Sequence, residues 1–396
     1  MPAGGGAGGI RAIAPFAALS ASYFAHIGFF NPYLTLWLKH LGLPIAVIAL
    51  LASVQSVTRV FAPYLWGMLS DHTGERVRLL RWSACVAFAA ALGFWWPGGP
   101  WWIGLVLLVV FTHTSSMMSL TEAAMAHLVA GDWGRYGRIR LWGSAGFMAT
   151  VVAAGAWFDH FGMGHFTGWT TATLAAVVAC TFWLPDAHDR PEAHAQAREP
   201  VGPVLRQPVV RWFFASLLCH VMAHYAIYGY FSLYLDAHGY GKATIGLLWA
   251  VSVLVEIAWF FWQGRLVGLL TMPQWLVLCG AATALRMTGT GLLGDWLLVL
   301  FIGQVLHALT FAAHHTACIA MVTYHFPGRL RARGQALFTV VGYGIGGVVG
   351  VLAGGRLVDA VGYEALFLAA GALGALAVAC AWQVRRHEER LPEAGA

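Results

Sequence analysis

The chain has 396 residues, of which 59% are hydrophobic and 10% are charged, with 19 Trp and 23 Phe. This apolar content exceeds what a water-soluble domain needs, so composition excludes an ordinary soluble protein and favours one with many membrane spans. The formal net charge of +6 at pH 7 would suit nucleic-acid binding. The basic residues lie between apolar runs, however, where they report topology instead.

Apolar runs of roughly 18–28 residues recur along the whole chain, and each is long enough to cross a bilayer as a helix. The first run is too long for a cleaved signal peptide and is predicted to be retained. The glycine-rich start and the tail from Arg385 are predicted to be disordered. The runs predict twelve transmembrane helices, at 12–38, 44–69, 79–97, 101–129, 138–158, 166–184, 208–236, 243–267, 273–291, 296–324, 334–358 and 363–384.

Lys and Arg are distributed unequally between the two sides of these spans. Of the 23 in the chain, 18 fall on one side and Lys39, Lys242 and Arg356 on the other. Cytoplasmic loops carry such an excess, so both termini are predicted to be cytoplasmic.

The most polar stretch, 185–206, divides six spans from six. It predicts an N-terminal bundle at 1–184, a central cytoplasmic loop at 185–206 and a C-terminal bundle at 207–396. The halves resemble each other: PYLTLWLKHLG at 32–42 aligns with GYFSLYLDAHG at 229–239. Duplicated six-span halves are typical of transporters that alternate access to a central site. The predicted fold class is therefore all-α integral membrane, with two pseudo-symmetric six-helix bundles.

Four charges lie within or at the mouths of the apolar runs: Glu122, Arg140, Glu256 and Arg286. A charge at bilayer depth costs at least ~2.5–3.5 kcal/mol, so such residues usually face a protein interior and have a function. Glu256 is the only charge within 245–261. It could act as a switch, protonated with Arg286 free or ionised and paired with it. The alternative to a functional role is a static ion pair, both for Glu256 with Arg286 and for Glu122 with Arg140.

Histidines are numerous, with 17 in the chain. His220 and His224 share one helix face and His307 and His314 another, which suggests a polar path that titrates near neutral pH. The 14-residue spacing of His113 and His127 is also close to that of haem-ligating pairs, which leaves a haem protein as a remote alternative.

Signatures of other protein classes are missing from the sequence. It has no nucleotide-binding loop, zinc-protease motif or nucleophile-elbow motif, which excludes ATP-driven transport and argues against an enzyme. The six cysteines are scattered without a C-x-x-C pair and are interpreted as packing residues. No cofactor or metal is therefore predicted.

The segment GMLSDHTGERVR at 67–78 joins a helix end, a turn, an acid and a basic cluster. It resembles the loop signature of the major facilitator superfamily. The resemblance implies that Asp71 and Arg76 help to gate the cytoplasmic side. Arg59 is interpreted either as a partner of this gate or as a substrate anchor.

Three further segments resemble lactose-permease-type proton symporters: FFNPYLTLWL at 29–38, YGRIRLWGSAGF at 136–147 and LHALTFAAHH at 306–315. A closer resemblance is to the bacterial 3-phenylpropionate transporter branch, and it is carried by YGRIRLWGS at 136–144, the stretch from His224 through Glu256, and His307 with His315. The resemblance implies that Glu122 and Arg140 bind substrate and that Phe147 offers it an aromatic face. Asn31 is added as cavity lining or part of a hinge, because the following Pro32 removes a backbone hydrogen bond within the first span.

The resemblance also places Arg286 and His307 where lactose-permease-type symporters have their coupling arginine and histidine. Thr310 stands where those proteins have a proton-carrying acid. Glu256 is therefore predicted to carry the proton, with His307 as an orienting partner and His315 in the same group.

Together these features predict a monomeric secondary transporter of a bacterial inner membrane, whose partners are protons, lipid and a small-molecule substrate. It would import a small organic solute, such as an aromatic carboxylate, with a proton. A proton antiporter or exporter, a sugar or nucleoside symporter, and a membrane sensor remain alternatives. Symport is preferred to antiport because the fifth span lacks the Gly-Pro pair that resemblance to antiporters would require.

Overall fold

The structure, a computed structural model, describes residues 6–129, 133–186 and 200–389. Within these ranges the regular elements are all helical, and twelve helices are long and apolar enough to cross a membrane. The predicted all-α class and the number of spans are therefore confirmed. The centre of the 185–206 loop and both chain ends lie outside the described residues.

The helices follow the predicted runs closely because run length and hydropathy are properties of the local sequence. The span that contains Thr310 is interrupted by a π segment, π1 (Ala308–Ala313), and the next by π2 (Thr339–Gly346). The α-helices are α1 Gly6–His40, α2 Ile45–Thr73, α3 Arg76–Ala91, α4 Pro100–Val129, α5 Trp133–Phe161, α6 Phe166–Trp183, α7 Gly202–Arg206, α8 Pro208–Ala237, α9 Lys242–Leu266, α10 Met272–Leu293, α11 Leu297–Val305, α12 His314–His325, α13 Arg331–Phe338, α14 Gly347–Val361 and α15 Tyr363–Glu388.

Helix α1 continues through Pro32, since a transmembrane helix tolerates a proline when its neighbours satisfy the freed backbone groups. The two chain ends differ from expectation. Helices α1 and α15 extend into the ends that were expected to be disordered, to Gly6 and Glu388.

The described chain forms two compact units. Unit 1 comprises Met1–Leu43, Val57–His194 and Gly241–Ala250, and unit 2 comprises Pro44–Ser56, Ala195–Tyr240 and Val251–Ala396. The beginnings of α2 and α9 thus belong to the unit that does not contain the rest of their helix. The division into bundles at 185–206 stays a prediction.

In unit 1, α1 packs against α5 at small residues. A Cβ added to Gly146 would lie 2.2 Å from the backbone oxygen of Ala21, so only glycine allows this approach. On its other side α1 meets α6 through an aromatic group in which the rings of Trp37 and Phe166 stack with centroids 4.9 Å apart.

Unit 1 also holds the first turns of α9. The Asp159 carboxylate accepts hydrogen bonds from the backbone N–H groups of Lys242 and Ala243 at 2.5 and 2.8 Å. An anion at a helix N-terminus is favourable because it meets unpaired N–H groups and the positive end of the helix dipole. Nearby, the Tyr33 hydroxyl lies 2.9 Å from the Val151 oxygen and 3.0 Å from the Lys242 oxygen.

In unit 2, the glycines of α14 and π2 form a flat face against α8. A Cβ on Gly342 would lie 3.4 Å from Leu217, and one on Gly350 would lie 3.0 Å from Tyr225. Helix α15 packs against α10 in the same way, since a Cβ on Gly374 would lie 2.7 Å from the Ala284 nitrogen. These contacts agree with the close helix packing that small residues allow.

Candidate functional site

Three ionisable residues of unit 2 form one hydrogen-bonded line within the membrane-spanning segments. His307 lies between the other two: its Nε2 is 2.8 Å from Glu256 Oε1, and its Nδ1 is 2.8 Å from an Arg286 NH1. The residues come from α9, α10 and the span of π1. Glu256 and Arg286 are therefore linked through an imidazole, whereas the sequence suggested a direct ion pair.

The hydrogen positions on His307 follow from its partners. A guanidinium can only donate, so Nδ1 of His307 must accept from Arg286. Its proton therefore lies on Nε2, which donates to the Glu256 carboxylate. A second proton on Nδ1 would break the bond to Arg286. In this arrangement His307 is a neutral connector between a carboxylate and a guanidinium.

Arg286 has two further acceptors. It donates to Thr310 Oγ1 at 2.9 Å and to Gln304 Oε1 at 2.9 Å. Its side chain is buried, with 2% of the residue exposed. The sequence interpretation did not include Gln304 and treated Thr310 only as a missing acid. Their spacing of three residues on either side of His307, in an apolar span, is the signal that could have identified them.

A stack of histidines adjoins this line. The rings of His220 and His314 are parallel, with centroids 3.5 Å apart, and those of His220 and His224 are 5.0 Å apart. The Nε2 of His220 is 2.7 Å from the backbone oxygen of Thr310. The two histidine pairs singled out in the sequence are thus brought together in unit 2.

His315 lies farther along the same helical span. Phe311 separates it from His307: the ring of Phe311 stacks on His307 at 5.2 Å and on His315 at 6.2 Å. His315 is half-buried. The structure therefore places it near the line without a hydrogen bond to Glu256.

The residues predicted to bind substrate lie in unit 1. Glu122 lies in α4 and Arg140 in α5, and both side chains are exposed. The guanidinium of Arg140 lies 4.5 Å from the ring centroid of Phe24. This cation–π contact was absent from the sequence interpretation, because a neighbouring aromatic residue on another helix leaves no local signal.

Phe147 and Asn31 are both half-buried. The backbone of Phe147 packs tightly against α1, because a Cβ on Gly28 would lie 2.6 Å from the Phe147 oxygen. The Thr150 hydroxyl, about one turn later, lies within hydrogen-bonding distance of the Ala25 backbone oxygen, at 2.8 Å. This segment of α5 is therefore held firmly on α1.

Two of the predicted gating residues, Asp71 and Arg76, lie where α2 ends and α3 begins, and Arg59 lies in the middle of α2. Asp71 is exposed in the last turn of α2, and Arg76 is the first residue of α3. Gly74, with φ of 69°, makes the turn between them in a conformation that favours glycine. Glu75 pairs with Arg78 at 2.9 Å.

The comparison with known families decides the family of this chain. A family model described as "MFS_1 like family" matches residues 19–369. The chain belongs to this family. Membership agrees with the loop and span motifs, which resembled the major facilitator superfamily, and it indicates a transporter.

Two curated bacterial relatives of this MFS_1-like chain are informative. It is 27% identical over 334 residues to the "Probable 3-phenylpropionic acid transporter" of Escherichia coli (strain K12), covering 82% of this chain and 85% of the relative. It is 26% identical over 340 residues to the "Maltose permease" of Geobacillus stearothermophilus, covering 85% of each.

Solved structures support the fold. The chain matches the nucleoside transporter NupG with a TM-score of 0.78 at 16% identity, covering 96% of this chain and 99% of that one. It matches the POT family transporter PepTSo with a TM-score of 0.78 at 12% identity, with the same coverage. These structures show the fold, and the family model with the twelve apolar helices makes this MFS_1-like chain a multi-pass membrane transporter.

Proposed function

We propose that the chain is a proton-coupled symporter that takes up a small organic acid, with an aromatic carboxylate as the first candidate. It would work as a monomer in a bacterial inner membrane, with both termini in the cytoplasm. The observation that carries the proposal is the line from Glu256 through His307 to Arg286, with 2.8 Å at each step.

Glu256 is the group in this line that can accept a proton. His307 already uses both ring nitrogens, so protonating it would break the bond from Arg286. The Glu256 side chain is 21% exposed, against 3% for His307. Protons exchange more readily with the more accessible group. We therefore assign the proton to Glu256 and the orienting role to His307.

Protonation of Glu256 changes the charge balance of unit 2. An ionised Glu256 offsets the buried charge of Arg286, whereas a neutral Glu256 leaves that charge uncompensated, which is costly inside a membrane protein. Binding of an anionic solute would then offset it. This argument couples one proton to one carboxylate and favours symport of an acid over that of a neutral sugar.

Unit 1 supplies the proposed substrate residues. Glu122, Arg140 and Phe147 offer an acid, a guanidinium and an aromatic face, with Asn31 on α1 as a polar side chain. Arg140 rests on the Phe24 ring, a contact that a flat aromatic substrate could share. The relative named for 3-phenylpropionic acid supports the same substrate class.

Sugar–proton symport is the second candidate. The relative named maltose permease supports it, and an acid–arginine pair such as Glu122 and Arg140 can also bind sugar hydroxyls. In that case Glu256 would still carry the proton, but substrate affinity would not depend on the charge of Arg286.

Purified protein reconstituted into proteoliposomes tests the proposal. With an imposed inward proton gradient, we expect labelled 3-phenylpropionate to accumulate, and maltose and uridine to remain at equilibrium levels. Glu256→Gln keeps the shape of the side chain and removes its proton exchange. It should abolish gradient-driven accumulation while counterflow exchange continues.

Glu389→Gln is the matched control, because it makes the same chemical change at an exposed residue that pairs with Arg385. It should accumulate substrate like the unmodified protein. Accumulation by the Glu256→Gln variant at the unmodified level would refute the assignment of the proton site, and maltose accumulation would favour the sugar alternative.

A further inference from the structure

The π1 segment begins one residue after His307, the central residue of the Glu256–His307–Arg286 line. This set of three residues is called the proton line below. Its six residues, Ala308–Ala313, include neither glycine nor proline. Irregular turns in helices usually have an identifiable cause, such as a proline, a glycine, or a side chain that enters the backbone hydrogen-bond ladder. Because π1 contains neither proline nor glycine, we expect the cause to be a side chain from a neighbouring helix.

His220 of α8 is that side chain. In an α-helix the N–H of His314 would donate to the oxygen of Thr310, but here it donates to Leu309, five residues back. The Nε2 of His220 lies 2.7 Å from the Thr310 oxygen and, since a carbonyl only accepts, it must donate the hydrogen. His220 therefore supplies a bond to the carbonyl that lost its regular donor.

Thr310 is also hydrogen-bonded to the proton line, because its hydroxyl accepts from Arg286 at 2.9 Å. We propose that His220 is a positioning residue: it holds π1 open at Thr310 and so keeps Thr310 and His307 within reach of Arg286. This inference rests on the proposed coupling role of the Glu256–His307–Arg286 line.

The surroundings of His220 fix its ring plane. His314 stacks on it with an interplanar angle of 3°, and His224 stacks at 19° from the same helix. The groups facing His220 are these two imidazoles and the Thr310 carbonyl, while Cys318 lies 3.6 Å from His314 Nε2 on the far side. The stack aims Nε2 at the Thr310 carbonyl. The positioning role therefore requires a hydrogen on Nε2, but it does not require a charge on the ring.

Three variants separate positioning from general destabilisation. His220→Gln places an amide N–H where Nε2 was and should retain coupling. His220→Leu removes the donor and should lower gradient-driven accumulation about tenfold, the effect of one lost buried hydrogen bond, while counterflow exchange changes less than about twofold. Ser216→Ala is the matched control, since it removes a buried bond from α8 to the Ala377 oxygen of α15, away from π1.

Two results would overturn the inference: coupled accumulation by His220→Leu at the unmodified level, or equal loss of accumulation and exchange in the Leu and Gln variants. If His220→Leu does not fold, His220→Asn, whose amide is too short to reach, replaces it.

A structural measurement keeps this test separate from the proposed function. An experimental structure of the His220→Leu variant should show Ala308–Ala313 as regular α-helix. It should also show that the hydrogen bond between Arg286 and Thr310 is lost. A retained π segment would refute the role of His220 whatever the transport assay gives. A reverted segment together with an unaltered Glu256→Gln variant would refute only the proposed coupling.

Discussion

Arg286 donates hydrogen bonds to three buried polar side chains of unit 2. Its guanidinium reaches His307, Thr310 and Gln304 within 2.9 Å and is almost completely buried. A planar group with five N–H donors can satisfy three acceptors in different directions, which a single ammonium cannot do in the same geometry. The arrangement therefore depends on arginine specifically rather than on a positive charge.

Replacement of Arg286 by Lys tests this dependence. The shorter, compact ammonium keeps the charge but should lose at least one charge-assisted hydrogen bond, each contributing about 1.5–3 kcal/mol. We expect gradient-driven accumulation in proteoliposomes to fall roughly 10- to 100-fold. Arg385→Lys, at an exposed pair with Glu389, is the control and should behave normally. Normal accumulation by the Arg286→Lys variant would contradict the argument.

At the scale of elements, the first turns of α9 pack closely against α1 and α5 because two glycines at the contact have no side chain. A Cβ on Gly246 would lie 2.5 Å from both the Tyr33 hydroxyl and the Val151 oxygen, and one on Gly155 would lie 2.5 Å from the Lys242 oxygen. Together with the Asp159 carboxylate, these glycines let α9 begin in direct contact with α1 and α5. Backbone oxygens cannot move aside as a flexible side chain would.

Gly246→Ala should therefore disturb unit 1 although alanine favours helices. The added methyl group overpacks the contact, at a cost of about 1–3 kcal/mol, and we expect transport to fall by about tenfold with a lower thermal unfolding temperature. Gly264→Ala, in the same helix, is the control because nothing lies within 4 Å of its added Cβ. That variant should be neutral or slightly more stable, and equal behaviour of the two would count against the close contact.

The whole molecule carries a charge asymmetry that determines how it enters a membrane. Of its 23 Lys and Arg residues, 18 fall on one predicted side, and short loops with this excess stay in the cytoplasm. The twelve apolar helices then return the chain to the side on which it began. The asymmetry predicts an orientation that the helices alone leave undetermined.

Reporter fusions measure that orientation. Green fluorescent protein at either terminus should fluoresce, and alkaline phosphatase at the C-terminus should be inactive, as expected in the cytoplasm. Phosphatase fused after Gly239, in the connection between α8 and α9, should be active. An active phosphatase at the C-terminus would show that the orientation is reversed.

The sequence by itself determined the number of spans, their limits to within a few residues, and the family. These depend on run length, hydropathy and short motifs, which are local. It also identified Glu256, Arg286 and His307 as residues of interest, because a charged or titratable group in an apolar run is costly and so informative.

Only the tertiary structure decided how these groups meet. His307 stands between Glu256 and Arg286, and Thr310 and Gln304 complete the arginine's hydrogen bonds. These contacts depend on how α8, α9, α10 and the interrupted span are rotated about their axes. The π1 segment shifts that rotation after Val305, and its partner His220 is 90 residues away in the chain. A periodic pattern records which face of one helix is polar, but it carries no information about which side chain of another helix that face will meet.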